Sequence, residues 1–244
     1  MKLSSVLRGR RSIPEPPGYD PSVGEVEQDD LSVSYDGDTY RCRVVSSVDG
    51  NWRVAYGRRI SGDQSRAFVF SGDTLAYSVE SDRPMDADVA MTGAAVLLMG
   101  GAYDGLDGRI AAFDSSGREL LKRELSVNPQ NCVIAPEGNI AAVVTRPPDV
   151  SVLLIDLEEQ SVRAVHDVDD VPVQLLGFTY RRNNELLYVA EIERDDPYFA
   201  LGSDGSVVWK SRRYRNTQPF SRRVRNWISS FGTVEKTQDR HEER

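Results

Sequence analysis

Side chains that most often carry nucleophilic or metal chemistry are scarce here: two histidines and two cysteines occur in 244 residues. His166 ends an alternating pattern, Ser161 to His166, and runs into Asp167, Asp169 and Asp170. A histidine beside carboxylates could form a dyad or ligate a metal, but no second histidine stands at zinc spacing. The other, His241, lies in a polar terminus. The segment therefore reads as a strand exit in an acidic loop. Cys42 and Cys132 each sit in an apolar pattern with no C-x-x-C partner, and read as small buried residues. Asp104 and Asp107 lie in the glycine-rich run Gly100 to Gly108, whose oxygens suit calcium. That run lacks the spacing and terminal glutamate of an EF-hand, and the lysine and helix of a phosphate loop. It reads as a long connection. Carboxylates are so numerous that no pair stands out. The expectation is a non-enzyme with no catalytic residue, no cofactor and no metal.

Charge is concentrated where catalytic groups are not. Residues 210–225 carry Lys210, Arg212, Arg213, Arg215, Arg222, Arg223 and Arg225 and no acid. Phe220, Val224, Trp227, Ile228 and Phe231 then recur at helical spacing, with Ser221 as a candidate N-cap and Gly232 as a stop. A basic amphipathic helix can dock into a partner's groove, lie on an anionic membrane or approach nucleic acid phosphates. It can equally cap the chain's own core. The partner-binding candidates are Arg222, Arg223, Arg225, Trp227 and Phe231.

The elements that would position these residues repeat. A unit of about 43 residues is written four times, with turns at Asp49-Gly50, Thr92-Gly93, Glu137-Gly138 and Asn183-Asn184. A second register agrees: Phe70, Phe113, Ile155 and Leu201 step by 43, 42 and 46, each followed by a polar turn. Four short strands per unit at this period is the signature of propeller blades. The second strands, Ala94 to Met99 and Ile140 to Val144, are apolar throughout, as expected for burial on both faces. Leu31 to Tyr35 alternates and turns through Asp36-Gly37-Asp38 into a further strand. Residues 1–30, with Pro14, Pro16, Pro17 and Pro21, show no periodicity and read as a flexible arm.

The net charge of −8 hides an asymmetry. Residues 13–209 hold 16 basic and 34 acidic side chains, a net of −18, while both ends are basic. Only four basic residues are lysine, and this acidic, lysine-poor composition resembles that of proteins from salt-loving archaea. No run of 18 apolar residues exists, so no membrane span is expected. The start carries no apolar core of a secretory signal, and cytoplasmic residence is the expectation.

The segments Tyr198 to Lys210, Gly108 to Lys122 and Val152 to Leu157 resemble repeats of the β-propeller superfamily, in its quinoprotein-like and WD40-like branches. An apolar strand ends in an Asp/Gly turn, and Trp209 follows in the first of them. No Trp-Asp pair ends a unit and no Gly-His pair begins one. The resemblance covers about residues 42–212 and implies fold, without implying the quinone and calcium of quinoprotein enzymes.

The expected architecture is all-β: a propeller of about four four-stranded blades over residues 31–212, an N-terminal arm over 1–30, and a basic amphipathic helix with a frayed tail over 213–244. Four blades is the lower limit for closure, and open edges predict a homodimer. The expected function is a non-enzymatic scaffold for a protein partner. The alternative is nucleic acid binding through the arginine-rich tail.

Overall fold

The computed structural model describes residues 30–101, 107–147, 150–168, 172–181, 184–191 and 196–217. Hydrogen bonding between strands stays within four antiparallel sheets, each a meander in chain order. The first joins β1 (Asp30–Tyr35), β2 (Asp38–Ser46), β3 (Trp52–Arg59), β4 (Ser65–Ser71) and β5 (Thr74–Ser81). The second joins β6 (Pro84–Val89), β7 (Ala95–Gly100), β8 (Gly108–Phe113) and β9 (Glu119–Leu125). The third holds β10 (Pro129–Ile134), β11 (Ile140–Thr145), β12 (Ser151–Asp156) and β13 (Ser161–Asp167). The fourth holds β14 (Val173–Arg181), β15 (Asn184–Glu191), β16 (Pro197–Gly202) and β17 (Val207–Lys210), followed by the helix α1 (Arg212–Thr217). These are four propeller blades. No helix among the described residues is long and apolar enough to cross a membrane.

The expected turns close the expected hairpins: Gly50, Gly93 and Gly138 each take positive φ between the first and second repeat strands of blades 1, 2 and 3. β1 is an addition to the repeat. It pairs with β2 through a tight turn at Asp36 and Gly37, both at positive φ, and gives blade 1 a fifth strand at its inner edge. The strand expected at Leu31 to Tyr35 and its turn are therefore present.

Apolar faces fix the blades against one another. Val54, Tyr56 and Val69 of blade 1 cluster with Ala87, Leu97 and Phe113 of blade 2. Leu98 and Ile110 of blade 2 meet Cys132, Val143 and Ile155 of blade 3. Val152 and Leu154 of blade 3 meet Leu187, Phe199 and Leu201 of blade 4. β7 and β11, each with one face toward either neighbour, are buried at every position. At about 25 cal/mol per Å² of apolar surface, these three interfaces supply the main attraction between blades. The outer faces of the end blades form separate clusters, around Phe68 and Tyr40 in blade 1 and around Tyr188 in blade 4.

The turn glycines also serve this stacking. Gly93 has φ +83, and a Cβ there would lie 2.6 Å from the Trp52 ring of blade 1. Gly138 repeats the arrangement one blade later, against Thr92 and Ala94. Gly37, at φ +80, faces open space. Gly37→Ala should cost only the left-handed strain of about 1–2 kcal/mol. Gly93→Ala should cost about 1–3 kcal/mol more, because the turn must also back away from Trp52. Denaturant midpoints of the two variants check that order.

Candidate functional site

Among the described residues no strand of one blade pairs with a strand of another, so the inner edges of β6, β10 and β14 need other partners. β10 shows how they are supplied. The N–H of Cys132 donates to Asp86 Oδ2 at 2.9 Å, and the N–H of Ile134 donates to Asp88 Oδ2 at 2.8 Å. Asp86 and Asp88 are two apart on β6, the spacing that puts both side chains on one side of a strand. Their targets are two apart on β10, so carboxylates and amides match in pitch. Asp86 Oδ1 also accepts the Tyr56 hydroxyl from blade 1 at 3.2 Å, so this one carboxylate joins three blades. Asp88 Oδ1 accepts the N–H of Val89 at 2.8 Å.

The next junction repeats the device with an amide. Asn131 Nδ2 donates to the Leu175 carbonyl and Asn131 Oδ1 accepts the Leu175 N–H, both at 3.2 Å. A step of 45 residues carries Asp86 onto Asn131, so the same repeat position bridges to the following blade twice.

Burial sets the ionisation of the acids. It pushes Asp86 up to about 6 and Asp88 up to about 7, against the opposing pull of the backbone N–H groups that both accept. The charge of Asp86 raises Asp88 further. The Tyr56 hydroxyl is held above its ordinary range, first by burial and then by Asp86.

His166 is structural in its surroundings. It sits half-buried on β13, with Nε2 3.3 Å from the Tyr214 hydroxyl and its ring 5.1 Å from that of Phe199. Tyr214, from α1, is buried against Tyr198 and Phe199 at ring distances of 5.0 Å each, with Lys210 Nζ 5.6 Å from its ring centre. Asp167 accepts the Ser151 hydroxyl. Asp169 and Asp170 lie outside the described residues. Cys42 and Cys132 are buried free thiols. Burial raises Cys42 to about 11 and Cys132 well above its ordinary value, which keeps both protonated and poorly nucleophilic. Asp107 closes its loop by accepting the Gly101 N–H on its carbonyl, while Asp104 lies outside the described residues. No group of three or more potential metal ligands forms among the described residues.

Arg222, Arg223, Arg225, Trp227 and Phe231 all lie outside the described residues, as does the predicted helix that carries them. The described helix comes earlier, at Arg212–Thr217, and docks through Tyr214. Sequence reasoning missed the Asp86–Asp88 pair. Its signal was there: alternating acids inside an apolar strand pattern, Pro84 to Ala90, are unlike acids in a turn.

A cleft opens where blades 1 and 2 part. It has a volume of about 910 Å³ and is lined by Arg41, Arg43 and Tyr56 from blade 1, by Arg58 and Asp63 beyond them, and by Arg83 from the approach to β6.

No protein-family model matches the chain, and no curated protein matches it. Among solved structures it is similar to a putative TolB from Agrobacterium tumefaciens, at 12% identity and a TM-score of 0.43, over 80% of this chain and 79% of that one. It is similar to the Cps50 (Swd1) β-propeller domain of Myceliophteria thermophila at 10% identity and a TM-score of 0.42. That match covers 73% of this chain and 63% of the domain. Kuenenia stuttgartiensis hydrazine synthase matches at 12% identity and a TM-score of 0.43, over 74% and 83%. The propeller assignment rests on the blade topology described above.

Raised carboxylates destabilise a fold as they ionise. Between about pH 4 and pH 7 the unfolded chain has released the Asp86 and Asp88 protons while the folded chain still binds them, so stability should fall across that window. Asp49, Asp114, Asp156 and Asp204 are shifted downward instead, and their effect lies below about pH 4. Urea denaturation at pH 5 and pH 8 checks the sign. Asp88→Ala should flatten this slope and cost about 1–3 kcal/mol at pH 5, because two backbone N–H groups lose their acceptor. Tyr214→Ala should cost about 3 kcal/mol by emptying an aromatic site, read as a lower unfolding midpoint.

Proposed function

We propose that this protein is a non-enzymatic β-propeller scaffold that holds another protein. One observation carries the reading: the titratable groups described at the blade junctions and cores are committed to the structure itself. Asp86 and Asp88 tie blades together, His166 seats Tyr214, and the two thiols are packed in cores. A rigid stack with its polar groups spent on blade junctions suits a binding platform better than a reaction centre. Loops and tail are the parts left to vary, and the arginines at 222, 223 and 225 with Trp227 and Phe231 remain the proposed contact.

The test is affinity capture from native lysate of the source cells, comparing the full chain with a truncation after Thr217. Cutting there keeps Tyr214, whose packing belongs to the fold. The scaffold reading expects a stoichiometric protein partner that the full chain retains and the truncation loses. A full chain that recovers no protein contradicts it. Recovery of nucleic acid with steep salt dependence, lost on the same truncation, favours the nucleic acid alternative.

A further inference from the structure

The cleft between blades 1 and 2 goes beyond the scaffold reading and is independent of the tail. Its charge is opposite to that of the body. Arg41, Arg43, Arg58 and Arg83 line it, with Asp63 the one carboxylate among the described lining residues, while residues 13–209 as a whole carry −18. All four arginines are exposed, so this charge faces solvent in the cleft.

The repeat explains why it opens here. A step of 43 residues, the step from Gly50 to Gly93, carries Arg43 onto Asp86. At the two later junctions this position holds a side chain that bonds the following blade's inner strand: Asp86 to Cys132 and Asn131 to Leu175. At the first junction it holds a cation. Asp86 gives its oxygens to Cys132 and Tyr56, and Arg43 acts on it only through charge among the contacts described.

Strand pairing brings these charges together. Arg41 and Arg58 are direct cross-strand partners on β2 and β3, and Arg43 is paired with Tyr56 next to them. Like charges directly opposite on a strand pair repel and weaken it. Asp63 pairs with Arg58, and Arg83 Nη1 donates to the Gly101 carbonyl at 3.3 Å. Planar guanidinium forks match phosphate and carboxylate oxygens two at a time, and a cleft of this volume is of ligand-binding size.

We propose that this cleft binds a ligand bearing two or more oxyanion groups, phosphate or carboxylate, held between Arg43 and Arg58. Such groups come either from a free polyanion or from an acidic segment of a partner protein. Calorimetric titration of the full chain with inorganic tripolyphosphate and with hexaglutamate peptide, each at low and moderate salt, separates the two. The expected result is saturable one-to-one binding, with the tighter probe identifying the source. Arg43→Gln and Arg58→Gln should each raise Kd by about tenfold or more, since each removes a charge-assisted contact. Arg53→Gln is the control, because Arg53 pairs with Asp73 outside the cleft and its loss should leave Kd unchanged. Unfolding midpoints of the three variants establish that each is folded, and either cleft variant alone suffices if the other is not. Failure of both probes to bind at millimolar concentration, or affinity that survives both cleft substitutions, overturns the proposal. Neither result bears on a partner held by the tail.

Discussion

Everything in this chain depends on how one blade is fastened to the next. Strand-to-strand backbone ladders end at each sheet's edge, with the Met91 N–H to Pro136 carbonyl bond crossing only between turns, and an inner strand left there would expose a row of amides to an apolar interface. An unmet buried amide costs about as much as several well-packed methylenes return. Asp86, Asp88 and Asn131 meet that demand from the preceding blade. The apolar interfaces supply most of the attraction, but they are tolerant of sliding. Directional bonds at matched pitch fix the register in which the apolar faces meet.

The repeat was open to reading because it is written in residues with strong local requirements. Turn glycines such as Gly93 and Gly138 must take positive φ, and apolar runs such as Ala95 to Met99 must be buried on both faces. Those constraints are local, so spacing alone revealed strands, hairpins and the four-blade count. The fifth strand β1 was equally plain, from its alternation and the Asp36-Gly37 turn. The blade junctions were not. Asp86 and Asp88 look like two more acids in an acidic chain until the strand 46 residues away is beside them. His166 was visible as an isolated histidine, whereas its partner Tyr214 stands 48 residues further along. The cleft was hidden for a similar reason, since Arg41, Arg58 and Arg83 are brought together only by pairing and stacking.

The same repeat position thus has two outcomes. Where it holds an acid or amide acceptor, adjacent inner strands are stitched together. Where it holds Arg43, the blades part and a basic cleft remains on an otherwise acidic body. Sequence variation at a fixed structural position is how a repeat architecture acquires distinct surfaces without changing its core. The acidic majority raises the contrast, because the negative field of the body repels the anions that a basic site of this kind attracts.

The central claim is that carboxylates from β6 act as the hydrogen-bonding edge for β10. Amide hydrogen exchange at Cys132 and Ile134, followed by NMR at pH 5, tests it most directly. The account predicts that both amides exchange as slowly as those bonded within the β11–β12 ladder, and that Asp88→Ala selectively speeds Ile134. Exchange at Cys132 and Ile134 as fast as at an open strand edge, or an Ile134 rate unmoved by that substitution, would contradict it.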